Sequence, residues 1–431
     1  LSSTPNGKAK NRVRYNAVKG VQDIFPPDVY LWQRVESAAS EIFGAFGFQE
    51  LRAPVMEFTD VFVRSIGETS DIVEKEMYTF QDKGGRSITL RPEGTAPVVR
   101  CYVQNHLYNR PAPQKFYYSG PMFRYERPQR GRQRQFYQIG VEAFGDNGPA
   151  IDAEVISMLR HFLNRIGMND LSFEINSIGC PECRPAYRDS LKEYFAARID
   201  SFCPDCKRRL ESNPMRILDC KVPGCIEMRK GAPLVSDHLC DGCRTHFDEL
   251  KKLLGRLDVQ FVVNPEMVRG LDYYTRTTFE VTSTNLGAQN AVAAGGRYDG
   301  LIEEFGGPKT PAIGFAIGME RLIALLGDGA QEARAPLVFI TALGDDAANE
   351  ALSMADRLRS EGVWAETGSP QNSLRSQMKR ADKLGAEYVL FLGQDELSSG
   401  TAGWKKLDDG TEGKVGISEA HGFFTSLKRK A

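Results

Sequence analysis

Phe116-Tyr-Tyr-Ser-Gly-Pro-Met-Phe-Arg-Tyr125 and Gln135-Phe-Tyr-Gln-Ile-Gly-Val-Glu-Ala-Phe144 are two strand-like runs separated by a short, charged connection. So short a link joins the strands antiparallel, because a parallel pair needs a crossover of a dozen or more residues. Side chains alternate across a strand. Ile139, Val141 and Ala143 therefore make an apolar face directed at a core, while Gln138, Gly140 and Glu142 make a polar one. By the same alternation Arg124 and Glu126, at the end of the first strand, point the same way. A guanidinium fork suits bidentate contact with phosphate, and a carboxylate beside it would orient a base, a ribose or a metal. A solvated cross-strand ion pair accounts for the same two residues. Gly140, between Gln138 and Glu142, would let a ligand approach the backbone.

The connection Arg127-Pro-Gln-Arg-Gly-Arg-Gln-Arg134 places four arginines in eight residues. Cations so crowded repel one another unless they share an anion, such as a triphosphate or an RNA end. A solvated basic loop is the plainer reading. Further out, Leu90-Arg-Pro-Glu-Gly-Thr-Ala-Pro97 runs from a strand end into a helix start, with Glu93 at the turn. Its carboxylate would bind an ammonium or cap the turn. Val268-Arg-Gly-Leu-Asp-Tyr-Tyr-Thr275 sets Arg269, Tyr273 and Tyr274 ahead of a strand over 278–282, although tyrosines in such a run are commonly core. Gly295-Gly-Arg-Tyr-Asp-Gly300 reads as a tight turn carrying one cation. Ala312-Ile-Gly-Phe-Ala-Ile-Gly318 is a strand entering a helix whose first turn holds Arg321. A cation near the positive helix end is unfavourable unless it meets an anion or reaches away into solvent. No GxGxxG or GxxxxGK[ST] pattern occurs, so ATP would not be cradled by a Rossmann or P-loop turn. No serine, cysteine or histidine nucleophile stands among these groups. That suits in-line attack on an α-phosphate, where positioning and charge neutralisation carry catalysis.

The 431 residues, 41% hydrophobic and 26% charged, suit a protein of two or three domains with a sizeable core. A net charge of −1 excludes a wholly basic nucleic-acid coat, but not local RNA binding. No run of about 18 apolar residues exists to cross a membrane. Residues 1–16 form a polar, basic tail without the apolar core of a secretory signal. Residues 17–326 hold the Gly-rich turns and Arg-bearing strands. Inside them, about 180–255 reads as a helical insert, with helices over 187–199 and 246–254. Residues 327–335 read as a linker. The remainder, 336–431, repeats strand and helix: strands over 337–341, 363–366 and 388–392, helices over 347–360 and 373–384. That is an independent α/β unit.

Of nine cysteines, eight lie between Cys180 and Cys243, and Cys101 stands apart. Nothing marks export, so reduced thiols or metal ligation are expected rather than bridges. Cys180/Cys183, Cys203/Cys206 and Cys240/Cys243 are spaced by two residues and Cys220/Cys225 by four. Four such pairs would make two tetrahedral structural zinc sites, or remain free thiols held by ordinary packing.

Taken together, these segments resemble the signature motifs of class II aminoacyl-tRNA synthetases. Nearly the whole chain is similar to bacterial-type histidyl-tRNA synthetases. Lys19-Gly-Val-Gln-Asp-Ile-Phe-Pro26 resembles that family's opening segment. Arg269-Gly-Leu-Asp-Tyr-Tyr274 and Ala294-Gly-Gly-Arg-Tyr-Asp299 resemble its two histidine-specific motifs. The resemblance implies an α+β fold: a class II antiparallel sheet flanked by helices, a helical cysteine-rich insert and a C-terminal α/β anticodon-binding domain. It implies that Glu93, Gly94, Thr95, Gln138, Glu142, Arg269, Tyr273 and Tyr274 bind histidine. Among them Glu93, Thr95 and Gln138 would hold the α-amino group, and Glu142 and Tyr274 the imidazole nitrogens. Arg124, Glu126, Arg132 and Arg321 would bind ATP, with Arg124, Arg269 and Arg321 catalytic. Arg269 would stand where other class II enzymes place a metal, and Mg²⁺ would accompany the β- and γ-phosphates. Histidyl-AMP would form first and then be attacked by the 3′-terminal ribose of tRNA(His). A cytoplasmic homodimer with no membrane attachment is implied. The rival is a non-catalytic histidine-binding paralogue, the ATP phosphoribosyltransferase regulatory subunit, which lacks the anticodon-binding domain.

Overall fold

The computed structural model describes residues 15–67, 70, 72–129, 131–269, 271, 273–284, 291–327 and 335–428. All but the last two residues of the 1–16 tail lie outside that set, as does the 327–335 linker apart from its two ends. The chain divides into two compact units, Leu1–Gln331 and Glu332–Ala431.

The strands of the first unit are β1 (Gln49–Glu50), β2 (Met56–Phe58), β3 (Tyr78–Gln81), β4 (Ser87–Leu90), β5 (Gln114–Phe123), β6 (Gln135–Phe144), β7 (Ser172–Ser177), β8 (Val262–Val263), β9 (Thr275–Thr282), β10 (Ala291–Arg297) and β11 (Ala312–Gly318). Eight of them form one sheet in the order β1-β5-β6-β11-β10-β9-β7-β8. Its six central strands are antiparallel, as expected, and each edge adds a short parallel strand, β1 on β5 and β8 on β7. A small sheet, β2-β4-β3, stands apart.

The alternation read from the sequence decides which face is core. Ile139, Val141 and Ala143 of β6 join Ile313, Phe315 and Ile317 of β11 and Phe279 and Val281 of β9. These pack on three helices, Asp28–Ala45, Pro149–Arg165 and Asp241–Arg256, through Val35, Phe43, Leu159, Phe162, Leu250 and Leu254, all essentially inaccessible. Each such side chain contributes roughly 1.5–3 kcal/mol of burial. The opposite face is thereby left to the polar alternates.

Two sequence expectations change. First, β5 ends at Phe123, so Arg124 and Glu126 are not strand neighbours. Arg124 N still donates to Arg134 O (2.9 Å), but Tyr125 N turns away to Glu76 O (2.7 Å) and Glu126 N donates to Arg124 O (2.8 Å). A sharp turn, not strand parity, brings the two side chains together. Second, Gly295 and Gly296 lie inside β10, not in a turn. Gly295 is wedged against Gly314 O and the Phe279 ring, and a Cβ there would collide with both.

The insert is helical: Arg184–Ala196, Pro204–Ser212, Pro223–Met228 and the start of Asp241–Arg256, with 3₁₀ turns between. Sequence reading found the first and last and missed the two short middle helices, whose apolar content is a few residues each.

The second unit carries β12 (Val338–Ile340), β13 (Ala365–Thr367), β14 (Tyr388–Leu390), β15 (Thr401–Lys406) and β16 (Glu412–Gly416), in the order β13-β12-β14-β15-β16. The first three are parallel and the last two antiparallel. β12 is buried on both faces. Val338 and Ile340 meet Met354, Leu358 and Phe424 of the helices Asp345–Ser360 and Ile417–Lys428, while Phe339 meets Ala381 of the helix Leu374–Leu384. The β15–β16 hairpin was not foreseen, because its lysines and glycines blur the alternation.

Candidate active site

A cleft of about 340 Å³ opens on the polar face of the large sheet. Its floor is the central strand β6, where Gln138 and Glu142 project, flanked by β11 with Gly314 and Ala316. Gly314 faces Glu142 in register, and a Cβ there would occupy the space of the Glu142 carboxylate. Gly140 has a different use from the one expected. The Tyr118 ring fills the space above it and also lies on Gly94, so these two glycines admit a tyrosine rather than a ligand.

Glu142 is fully buried. It accepts a hydrogen bond from Thr95 Oγ1 (2.7 Å) and another from the Tyr298 hydroxyl. Burial pushes its pKa up to about 8, opposed by those two donors and aided by nearby Glu93. Tyr298 was not singled out beforehand. Its signal was its place beside the Gly-Gly-Arg run, where it follows the last strand residue into the site.

Glu93 is buried at the N-terminus of the helix Thr95–Gln104 and accepts from Thr95 N (2.7 Å) and Ala96 N (2.8 Å). The capping reading therefore holds, with the helix dipole in its favour, and the carboxylate lines the cleft as well. Burial still raises its pKa. Gln138 Oε1 is buried with no hydrogen-bond partner among the described residues. An orphaned buried acceptor costs about 1–3 kcal/mol, which a bound donor would recover. Tyr273 and Tyr274 pack with ring centroids 4.6 Å apart and planes tilted by 49°, and the Tyr273 ring centroid lies 5.6 Å from that of Tyr298. Burial first, then neighbouring Arg269 in opposition, sets the raised pKa of Tyr274.

The cations line the same cleft. Arg124 Nε donates to Pro92 O (2.8 Å), and its guanidinium lies over the Phe136 ring at 5.3 Å. Glu126 stands 3.9 Å from Arg124 and 2.9 Å from Arg132. Arg269 pairs with Glu280 and lies over Tyr274 at 5.4 Å. Arg321 sits in the first turn of the helix Met319–Leu326 and does not reach away to solvent, donating instead to Ala291 O (2.7 Å). Burial first, then Arg132, lowers its pKa, with Arg124 adding to the crowding. Every site residue expected from the sequence, apart from the cysteines and Gly94, lines this one cleft. Arg297, by contrast, is structural. It is wholly buried against Asp152, whose second oxygen meets His246 (2.8 Å) and Thr277 (2.6 Å).

A buried carboxylate and an orphaned amide share one cleft with four arginines, on a sheet of this order. Residues 20–181 and 229–322 match the family model of histidyl-tRNA synthetase. The chain belongs to the histidyl-tRNA synthetase family. Residues 337–427 match the anticodon binding domain model. The histidine–tRNA ligase of Thermodesulfovibrio yellowstonii is 52% identical over 408 residues, 94% of this chain and 97% of that one. The ligase of Syntrophotalea carbinolica is 51% identical over 402 residues, 93% and 96%. The structure of apo S. aureus histidyl-tRNA synthetase superposes with a TM-score of 0.82 at 36% identity, covering 96% of this chain and all of that one. A Bacillus halodurans protein titled ATP phosphoribosyltransferase regulatory subunit/histidyl-tRNA synthetase shares the fold at 21% identity and a TM-score of 0.64, with 85% of this chain and 97% of that one covered. Segment 182–228 falls outside the synthetase family model.

The insert holds two clusters of four thiols, Cys180/Cys183/Cys240/Cys243 and Cys203/Cys206/Cys220/Cys225, each with its sulfurs within 4.8 Å of one another. Sequence spacing gave the pairs but not this nested partnership.

Proposed function

We infer that the chain activates L-histidine with ATP and transfers it to tRNA(His). The observation that carries this is the single cleft that holds Gln138, Glu142 and Tyr274 together with Arg124, Arg269 and Arg321. The histidine carboxylate oxygen attacks the α-phosphorus. The Pα–O bond to the β-phosphate breaks, and diphosphate leaves with its electron pair. Arg124 and Arg269 neutralise charge at the α-phosphate, and Arg132 and Arg321 that of the outer phosphates, with Glu126 orienting the nucleotide. Glu93, Thr95 and Gln138 accept from the α-ammonium, and Glu142 and Tyr274 take the imidazole nitrogens. The 3′-terminal ribose hydroxyl then attacks the acyl carbon and AMP departs. Mg²⁺ would travel on the nucleotide's phosphates. Of the carboxylates that line the cleft, Glu126 and Glu280 are each engaged with an arginine, which suits a metal held mainly by ATP.

A whole anticodon-type unit is present, unlike the regulatory rival. The helix Leu374–Leu384 exposes Arg375, Lys379 and Lys383 at i, i+4 and i+8, a basic stripe suited to RNA phosphates. Among the described residues no helix is long and apolar enough to cross a membrane. A cytoplasmic homodimer completes the reading. Purified protein is expected to exchange labelled diphosphate into ATP only when histidine is supplied. Exchange with no amino acid out of the common set would return the regulatory reading.

Zinc belongs to the same proposal. Zn–S bonds of about 2.3 Å in a tetrahedron set sulfurs roughly 3.8 Å apart. Cys180 lies 3.6 Å from Cys183 and 3.9 Å from Cys240, and Cys203 lies 3.9 Å from Cys220. Backbone N–H groups of Cys240 and Cys203 donate to Cys183 Sγ (3.1 Å) and Cys225 Sγ (3.3 Å), contacts that would stabilise thiolate ligands. Metal analysis of protein purified without added zinc is expected to give two zinc per chain, falling to one in Cys206→Ser. A ratio near zero would exclude both sites.

A further inference from the structure

We propose that the cysteine-rich insert completes the active site with two arginines, Arg209 and Arg216, which hold the diphosphate end of the nucleotide. The inference rests on the ATP-dependent reading above. A second pocket of about 200 Å³ adjoins the cleft and shares Arg124, Glu126, Arg132 and Arg269 with it. Its remaining cations, Arg209 and Arg216, come from the insert. Both are half-buried, one on the helix Pro204–Ser212 and the other on the 3₁₀ turn Pro214–Asp219.

Five guanidinium groups meet there with three carboxylates, Glu76, Glu126 and Asp219. One of those cations, Arg269, is also matched by Glu280 outside the pocket, and its Nε is buried with no hydrogen-bond partner among the described residues. Half-buried cations gathered in one pocket attract an anion into it. The dimensions choose which anion. Among the described residues no aromatic side chain lines the pocket, so they offer no platform on which an RNA base would stack. A space of 200 Å³ that opens from the cleft beside Arg124 suits the leaving diphosphate, whose charge rises as it takes the electron pair of the broken Pα–O bond.

The inner thiol cluster makes this placement specific to the insert. Cys206 stands three residues before Arg209, and Cys220 stands four after Arg216. The cluster thus clasps the two elements that present the arginines. Both residues lie in segment 182–228, which the synthetase family model does not match.

The test compares wild type with Arg209→Ala/Arg216→Ala, Arg209→Lys/Arg216→Lys and Arg208→Ala, using the full chain with its metal. Arg208 is an exposed neighbour paired with Asp205 and serves as control. In histidine-dependent exchange the KM for diphosphate is expected to rise about tenfold in the double alanine variant. The KM for histidine, the zinc content and the melting temperature should stay put. The lysine variant should recover part of the loss, and Arg208→Ala none should be lost. Calorimetric titration with inorganic diphosphate gives the same comparison without turnover, so it stands even if wild type exchanges with no amino acid. Unchanged diphosphate affinity overturns the proposal. So does a defect confined to transfer from preformed adenylate to tRNA, which would assign the pocket to RNA phosphates.

Discussion

Glu142→Ala is expected to lower kcat/KM for histidine on the order of 10³-fold or more, while the KM for ATP changes little. A site built to hydrogen-bond a substrate loses that much when a buried partner is missing, because the remaining polar atoms are stranded. Thr95 and Tyr298 would both lose their acceptor. Steady-state exchange at varied histidine and varied ATP separates the two effects, and an unchanged histidine KM would refute the imidazole assignment. The pH profile sharpens the test. Below its pKa of about 8 the Glu142 carboxyl is mostly protonated and accepts poorly. Histidine kcat/KM should therefore climb from pH 6.5 and level off above 8. Glu142→Gln should flatten that climb. Stability runs the other way. The folded pKa is raised above the ordinary 4.5, so the stability this group contributes is full below 4.5 and is lost as pH rises to about 8. Glu142→Gln should thus gain on wild type in melting temperature across that interval and hold its lead above it. The residue best placed to recognise substrate is one the fold would be steadier without.

Asp152→Ala is expected to cost the first unit about 3–5 kcal/mol. Arg297 has no exposed side-chain surface, and Asp152 is its closest counter-charge. Removing the carboxylate also strands His246 and Thr277, so four elements lose their junction: the helices Pro149–Arg165 and Asp241–Arg256 and the strands β9 and β10. Urea unfolding followed by circular dichroism measures the shift. A loss under about 1 kcal/mol, the size of a surface pair, would show that Asp299 and the carbonyls of Asp146 and Gly148 suffice for Arg297.

The hairpin was legible because one rule, side-chain alternation, governs β6 from Gln135 to Phe144, and its apolar half does lie on the helices. The same rule failed two residues beyond β5, where a hydrogen bond from Tyr125 N to Glu76 O redirects the chain. No local pattern announces a partner about fifty residues away. Gly140 was legible as a close approach but not as an approach to what: it and Gly94 receive Tyr118, while Gly314, not singled out, receives Glu142. Glu93 needed no choice between cap and site, because the end of its helix opens on the cleft. Tyr298 and Asp152 were passed over for opposite reasons. The first lay inside a run that reads as a tight turn, and the second sits in a helix with little local polar pattern, its partners coming from β9, β10 and the helix Asp241–Arg256. The cysteine spacings gave pairs, while only tertiary structure could say that the outermost two pairs join and the middle two join.

That nesting makes the insert a cassette. Cys180 at its entrance and Cys240 at its exit are 3.9 Å apart at sulfur. The chain leaves the body of the protein and returns to it through a single narrow gate. Everything threaded between can lengthen, shorten or be exchanged while β7 and the helix Asp241–Arg256 keep their seats. A lineage could revise what hangs over the cleft without redrawing the cleft itself.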